Sequence, residues 1–158
     1  MADDLVLKLD GIEGECKLKD HEKQIDISSV SFGMSLPGSS PMGGGGGTGR
    51  AVFSDVHFTK GADTASNKLQ KALLEGTVIK EAIFYWRKQG AGEQQEYMTL
   101  TLKDSLVTSF QAGGSTNGNQ SESVSLNFAK YTFEYKEQQS DGSLGGAQTA
   151  EFDLKAYA

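Results

Sequence analysis

The sequence predicts a mainly β domain, a two-sheet β-barrel with one α-helix and a long glycine-rich extended loop. Three observations lead there. Most of the chain reads as short runs of apolar and polar residues in alternation, a strand period. One stretch alone repeats at helical spacing. The 158 residues include 20 glycines but only 2 prolines, which suits many tight turns between strands. Eight or so strands with one helix bury their apolar faces most simply as a two-sheet barrel or sandwich with the helix plugging a side. At this length one domain, residues 1–158, removes roughly 70% of the unfolded surface from water.

The elements follow in order. "LVLKL" from Leu5 to Leu9 opens the domain, and a charged connection runs from Asp10 to His21. "IDISSVSFGMSL" reads as one long extended segment whose apolar phase changes. Ile25 and Ile27 share one count, while Val30, Phe32, Met34 and Leu36 fall on the other. A one-residue slip is what a β-bulge produces, here at Ser28 and Ser29. A strand from Ala51 to Thr59 follows the glycine loop. Leu69, Ala72, Leu73 and Gly76 then recur at i, i+3, i+4 and i+7. They predict a helix of about ten residues, with Ser66 as N-cap and Gly76 as the stop. "TVIKEAIFYWRK" turns at "GAGEQ" into "EYMTLTLKDSL" and "LVTSFQAGG". "VSLNFAKYTFEYK" slips phase again, from Val124, Leu126 and Phe128 to Tyr131, Phe133 and Tyr135, and "AEFDLKA" closes the chain.

The loop "PMGGGGGTGR" raises the question of phosphate. Gly44 and Gly49 bracket four residues as a Walker A loop does, and Gly44, Gly46 and Gly49 satisfy G-x-G-x-x-G. Such loops need a lysine and a hydroxyl next, and a helix whose N-terminus faces the anion. Arg50 and Ala51 stand in those places, and "AVFSDVHFTK" is a strand. Polyglycine instead supplies a long connection of maximal backbone freedom.

Other chemistries find little support. A formal charge of -6 has the wrong sign for gripping nucleic acid or an anionic membrane. The single cysteine, Cys16, excludes an intrachain disulfide and a multi-cysteine metal cage. His57, Asp55 and any serine make a triad on paper, yet no serine sits in G-x-S-x-G. His21 and His57 lack metal-ligand spacing. Trp86, with Tyr85, is a candidate platform for a small ligand. No catalytic, cofactor-binding or metal residues are assigned, and no cofactor is expected. "MADDLVLKLDG" lacks the basic start and apolar run of a Sec signal peptide, so folding in the cytoplasm is expected.

The motifs, taken in order, resemble one family, the haemolysin-coregulated proteins (Hcp), tail-tube subunits of bacterial type VI secretion. The first block matches through Gly14, Glu15, His21, Ile25, Asp26, Ser31, Gly33, Met34 and Ser35. The second matches through Phe58, Thr59, Lys60, Asp63, Ser66, Leu69, Ala72 and Gly76. Asn127, Phe128, Ala129, Tyr135, Asp141 and Gly142 match the later blocks. Cys16 stands where the family usually has serine, and Asn67 where it usually has proline. The resemblance is collinear over nearly the whole chain.

What the resemblance implies is a structural protein and no enzyme. Its subunits close into a homo-hexameric ring, and stacked rings form a tube fired by a contractile sheath. The implied partners are type VI effectors in the lumen, the valine-glycine repeat spike protein and sheath subunits. Neither nucleic acid nor membrane insertion is expected, and export proceeds without a signal peptide. The loop residues Met42, Gly43, Gly44, Gly45, Gly46, Gly47, Thr48, Gly49 and Arg50 are then expected to reach a neighbouring ring. Ser29, Ser31 and Ser35, on the odd positions opposite the apolar even ones, are expected to line the lumen. Such a polar face can also lie under a neighbouring loop. One other reading of the residues stays open, a monomeric β-sandwich binding a small ligand, whereas an enzyme using the glycine loop on phosphate fails for want of the lysine and hydroxyl.

Overall fold

The computed structural model describes residues 4–36, 51–90, 93–118 and 120–154. Eleven strands and one helix are described. They are β1 (Asp4–Leu9), β2 (Ile25–Asp26), β3 (Ser29–Ser31), β4 (Met34–Ser35), β5 (Val52–Phe53) and β6 (Val56–Lys60). After α1 (Ala65–Glu75) come β7 (Ile79–Gly90), β8 (Glu93–Gly113), β9 (Ser121–Asn127), β10 (Lys130–Gln138) and β11 (Leu144–Asp153).

The main sheet runs β2-β1-β7-β8-β9-β6-β3, all antiparallel. Its two ends, β2 and β3, are separated in sequence by Ile27 and Ser28 alone. Ile27 N–H donates to Leu5 O at 3.3 Å, while Ser28 N–H donates to Thr59 O at 2.7 Å. Two successive residues therefore reach strands near opposite ends of the sheet, which curls towards a barrel while β2 and β3 share no ladder among the described residues. The segment expected as one long bulged strand is thus three short ones. The phase slip at Ser28 and Ser29 marks the crossing from β1 to β6. The expected inward phase holds for Val30 and Phe32 and then fails, because Met34 and Leu36 are exposed.

β8 divides this path into two sheets, one of β1, β2, β7, β10 and β11 on its first half and one of β3, β6 and β9 on its second. Its first half pairs with β7 on one edge and β10 on the other, and its second half pairs with β9. Between β9 and β10 the backbone bends at residues 127–130, where the sequence shows its second phase slip. There Asn127 Oδ1 accepts from Leu106 N–H at 3.2 Å, and Ala129 N–H donates to Lys103 O at 3.0 Å. These bonds keep backbone groups satisfied while the sheet forks. β11 adds to the far edge of β10.

Leu7, Ile25, Phe58, Phe84, Leu100, Leu102 and Leu126 form the centre of the core, all at most 1% exposed. α1 inserts Ala65, Leu69 and Ala72 into it. Its C-terminus is a Schellman motif. Gly76, at φ 64°, bonds back to Leu73 O, and Thr77 N–H reaches Ala72 O, with glycine supplying the left-handed residue cheaply. Its N-terminus differs from expectation. Asp63 Oδ1 accepts from Ala65 N–H at 2.9 Å, and Ser66 Oγ accepts from Asp63 N–H at 3.0 Å. Ser66 lies inside the first turn, buried, and is not the N-cap. That residue is Thr64.

A second apolar cluster lies outside the barrel centre. Phe32 and Phe53 face Phe128, Tyr131, Phe133 and Phe152, with ring centroids 4.9–6.1 Å apart. β4 and β5 pair just beyond it, so the two stems of the glycine-rich segment are pinned by one aromatic residue each.

Candidate functional site

The outer face of β3, β6, β9 and the second half of β8 is the candidate site. Strand alternation sends Val30, Val56, Phe58, Val124, Leu126 and Phe110 inward. The opposite face carries Ser29, Ser31, His57, Thr59, Ser123, Ser125, Ser109 and Gln111, matched across the strands by register. All of them except half-buried Thr59 and buried Ser125 are exposed. Hydroxyl side chains, with His57 and Gln111 among them, thus cover four strands.

Their polar groups largely satisfy one another. Ser29 Oγ and Thr59 Oγ1 are 2.6 Å apart. Ser109 donates to Ser125 Oγ at 2.7 Å, and the Ser125 hydroxyl meets His57 Nδ1 at 2.7 Å. A serine and a histidine do meet, as the paper triad requires, but the rest is absent. The Asp55 carboxylate accepts from Thr108 Oγ1 at 2.7 Å and leaves the imidazole unoriented. Chemically the face is a mutually bonded hydroxyl surface.

Sequence reasoning found Ser29 and Ser31 on this face. Ser35 lies elsewhere, exposed on the β4–β5 ribbon opposite Val52. Ser109, Ser123 and Ser125 were missed, although "SESVS" alternates hydroxyl with larger residues and carries the signal. The loop residues Met42 to Arg50 lie outside the described residues. Tyr85 and Trp86 form no shared platform. They are successive strand residues on opposite faces, with Trp86 packed on the core and Tyr85 edge-on to His21 at 4.8 Å.

Other motif residues hold the scaffold behind the face. Lys60 Nζ, buried, contacts Glu122 Oε1 at 2.6 Å, Asp63 Oδ1 at 2.8 Å, Gly61 O at 2.8 Å and Ser66 Oγ at 3.1 Å. Ser66 also donates to Glu122 at 2.8 Å. On the other sheet, buried His21 joins Glu96 Oε1 (2.5 Å) and Gln24 Oε1 (2.7 Å). It fastens the 13–24 connection to β8. Gly14 is required beneath it, because an added Cβ would lie 2.7 Å from Gln24 O and 3.0 Å from Ile25 Cα.

Cys16 is buried, 3% exposed. Burial pushes its thiol up, and the Asp26 carboxylate beside it acts in the same direction. The thiolate is the reactive form, so iodoacetamide should leave the folded chain unlabelled and label it fully in urea. Rapid native labelling, read by mass spectrometry, would contradict this placement.

Comparison with known proteins bears on this architecture. A family model described as "Type VI secretion system effector, Hcp" matches residues 6–135. The chain is 40% identical over 147 residues to protein hcp1 of Pseudomonas aeruginosa, covering 92% of this chain and 91% of that one. It superposes on a solved type six secretion system protein with a TM-score of 0.91 at 27% identity, over 98% of both chains. Hcp1 of Salmonella typhimurium superposes with a TM-score of 0.78 at 30% identity, over 99% of this chain and 97% of that one.

Proposed function

The chain belongs to the Hcp family of type VI secretion proteins, and from that premise we propose that it is a tail-tube subunit. Six copies close into a ring, rings stack into a tube, and effector cargo travels in the lumen. The observation that supports this reading is the uncharged hydroxyl face. Hydroxyls already bonded to one another offer a passing protein few unmet partners, so binding stays weak and reversible. Identical barrels close a six-fold ring through a head-to-tail contact, and the loop between β4 and β5 stacks one ring on the next. Spike and sheath proteins are the remaining partners, and the role is structural, without catalysis.

Negative-stain images should show rings, and light scattering should return the hexamer mass. A monomer mass at high concentration in mild salt overturns the proposal. Ser31→Arg should keep the rings while reducing cargo co-purification by about tenfold, the effect of roughly 1.4 kcal/mol of mismatch from an unpaired charge. Unchanged co-purification from intact rings would take Ser31 off the lumen wall.

A further inference from the structure

The connection between β8 and β9 carries "STNG", residues 115–118. Asn117 and Gly118 are both exposed. Gly118, at φ 86°, donates its N–H to Ser115 O at 3.1 Å, a turn bond at the tip of the hairpin. Among the described residues no hydrogen bond engages the Asn117 side-chain amide. An added Cβ on Gly118 would meet nothing within 4 Å. Packing therefore does not hold this tip, and it opens without disturbing the barrel. Asparagine followed by glycine is open to ring closure, because the next residue's amide nitrogen reaches the side-chain Cγ and glycine sets no Cβ beside that nitrogen. Two similar pairs are less reactive. Asp10–Gly11 and Asp141–Gly142 also place glycine at positive φ, 81° and 89°, but they offer a carboxylate, whose charged oxygen leaves poorly. Ser143 Oγ and Ser143 N–H donate to Asp141 Oδ1 at 2.6 and 2.9 Å and hold that carboxyl below the usual range. Asn127 Oδ1 is engaged by Leu106 N–H, and Phe128 follows it.

We infer that Asn117 is a self-modification site, deamidated through its own backbone with water as the co-reactant. Gly118 N attacks Asn117 Cγ and gives up its proton. The bond from Cγ to the side-chain nitrogen breaks, and ammonia leaves with that proton. The resulting succinimide takes up one water. Opening at the side-chain carbonyl gives aspartate, and opening at the main-chain carbonyl gives isoaspartate. Amide and water thus become acid and ammonia, and no electrons are exchanged. Either product adds one negative charge to a formal charge of -6, at the end of the sheet that carries the hydroxyl face. Isoaspartate also lengthens the backbone by one carbon, which an exposed hairpin tip absorbs.

Isoelectric focusing of the folded chain held in mildly alkaline buffer should show an acidic band that grows with time. Peptide mass spectrometry should place the change at Asn117. Amide loss there should run at least about tenfold faster than at Asn127, which sits in the β8–β9 ladder opposite Leu106 and reacts only when that ladder opens. An isoaspartyl methyltransferase should label the aged wild-type chain. Asn117→Gln, which would have to close a larger ring, should stay unlabelled and form no acidic band. Asn117→Asp should focus with the acidic band from the start and melt with wild type. Loss at Asn117 no faster than at Asn127 overturns the inference. So does fast loss confined to urea, since the turn bond to Ser115 would then shield Gly118 N in the folded chain. An acidic band that maps to another asparagine, or that N117Q also forms, overturns it as well.

Discussion

Lys60→Ala is expected to destabilise the folded chain by about 3–5 kcal/mol, the usual result of removing one partner of a buried ion pair. Lys60 is 1% exposed, and Glu122 is 5% exposed. Without the ammonium, Glu122 and Asp63 stay buried as two carboxylates sharing one site. The loss is large beside a total stability of about 5–15 kcal/mol. Replacing both partners, as Lys60→Met with Glu122→Leu, should recover most of it, because the desolvation cost of both charges disappears together. Asp63 Oδ1 still accepts from Ala65 N–H, so the helix start survives in the double variant. Urea unfolding measures all of these. A Lys60→Ala loss within about 0.5 kcal/mol, the range of an ordinary surface change, would mean the cluster is solvated.

The sequence showed three of this cluster's four side chains. Lys60, Asp63 and Ser66 stand in one motif block, and Ser66 precedes the helical period, which made it read as an N-cap. Its hydroxyl bonds Glu122 instead, 56 positions away. Only the β6–β9 register brings Lys60 opposite Glu122. Register between distant strands is set by tertiary packing, and no local period reports it. The acid in "SESVS" looked like any solvated surface residue.

The same limit explains the second strand. Periodicity located the slip at Ser28 and Ser29 correctly and named it a bulge. A crossing between two sheet edges produces the same one-residue change of phase, and which of them occurs depends on Leu5 and Thr59, both far along the chain. Met34 and Leu36 continue the apolar count past Phe32, yet the strand has already left the barrel. The hydroxyl face was partly legible because alternation is local. Its width was not, since Ser31, His57, Ser125 and Ser109 share one surface only after four strands pair. Arg87 gave no signal at all. An arginine in a strand reads as exposed, and its burial follows from the strands on either side of it, β1 and β8.

Phe58→Ala and Phe84→Ala should each cost about 3–5 kcal/mol, the range for truncating a buried aromatic. Phe58 projects inward from β6 and Phe84 from β7, and their rings meet edge to face with centroids 5.8 Å apart. Phe58 is 1% exposed and Phe84 0%. The pair therefore ties the sheet bearing the hydroxyl face to the sheet bearing Arg87. Edge-to-face rings interact by about 0.5–1.5 kcal/mol beyond the area they bury, so the double variant should lose less than the sum of the singles by that amount. Phe84→Leu should cost roughly 1.5 kcal/mol or less if the site repacks around a smaller apolar group. Urea unfolding followed by tryptophan fluorescence suits the measurement, since Trp86 lies on the same strand and packs on the core. Strictly additive losses would mean that each ring is held by its own sheet.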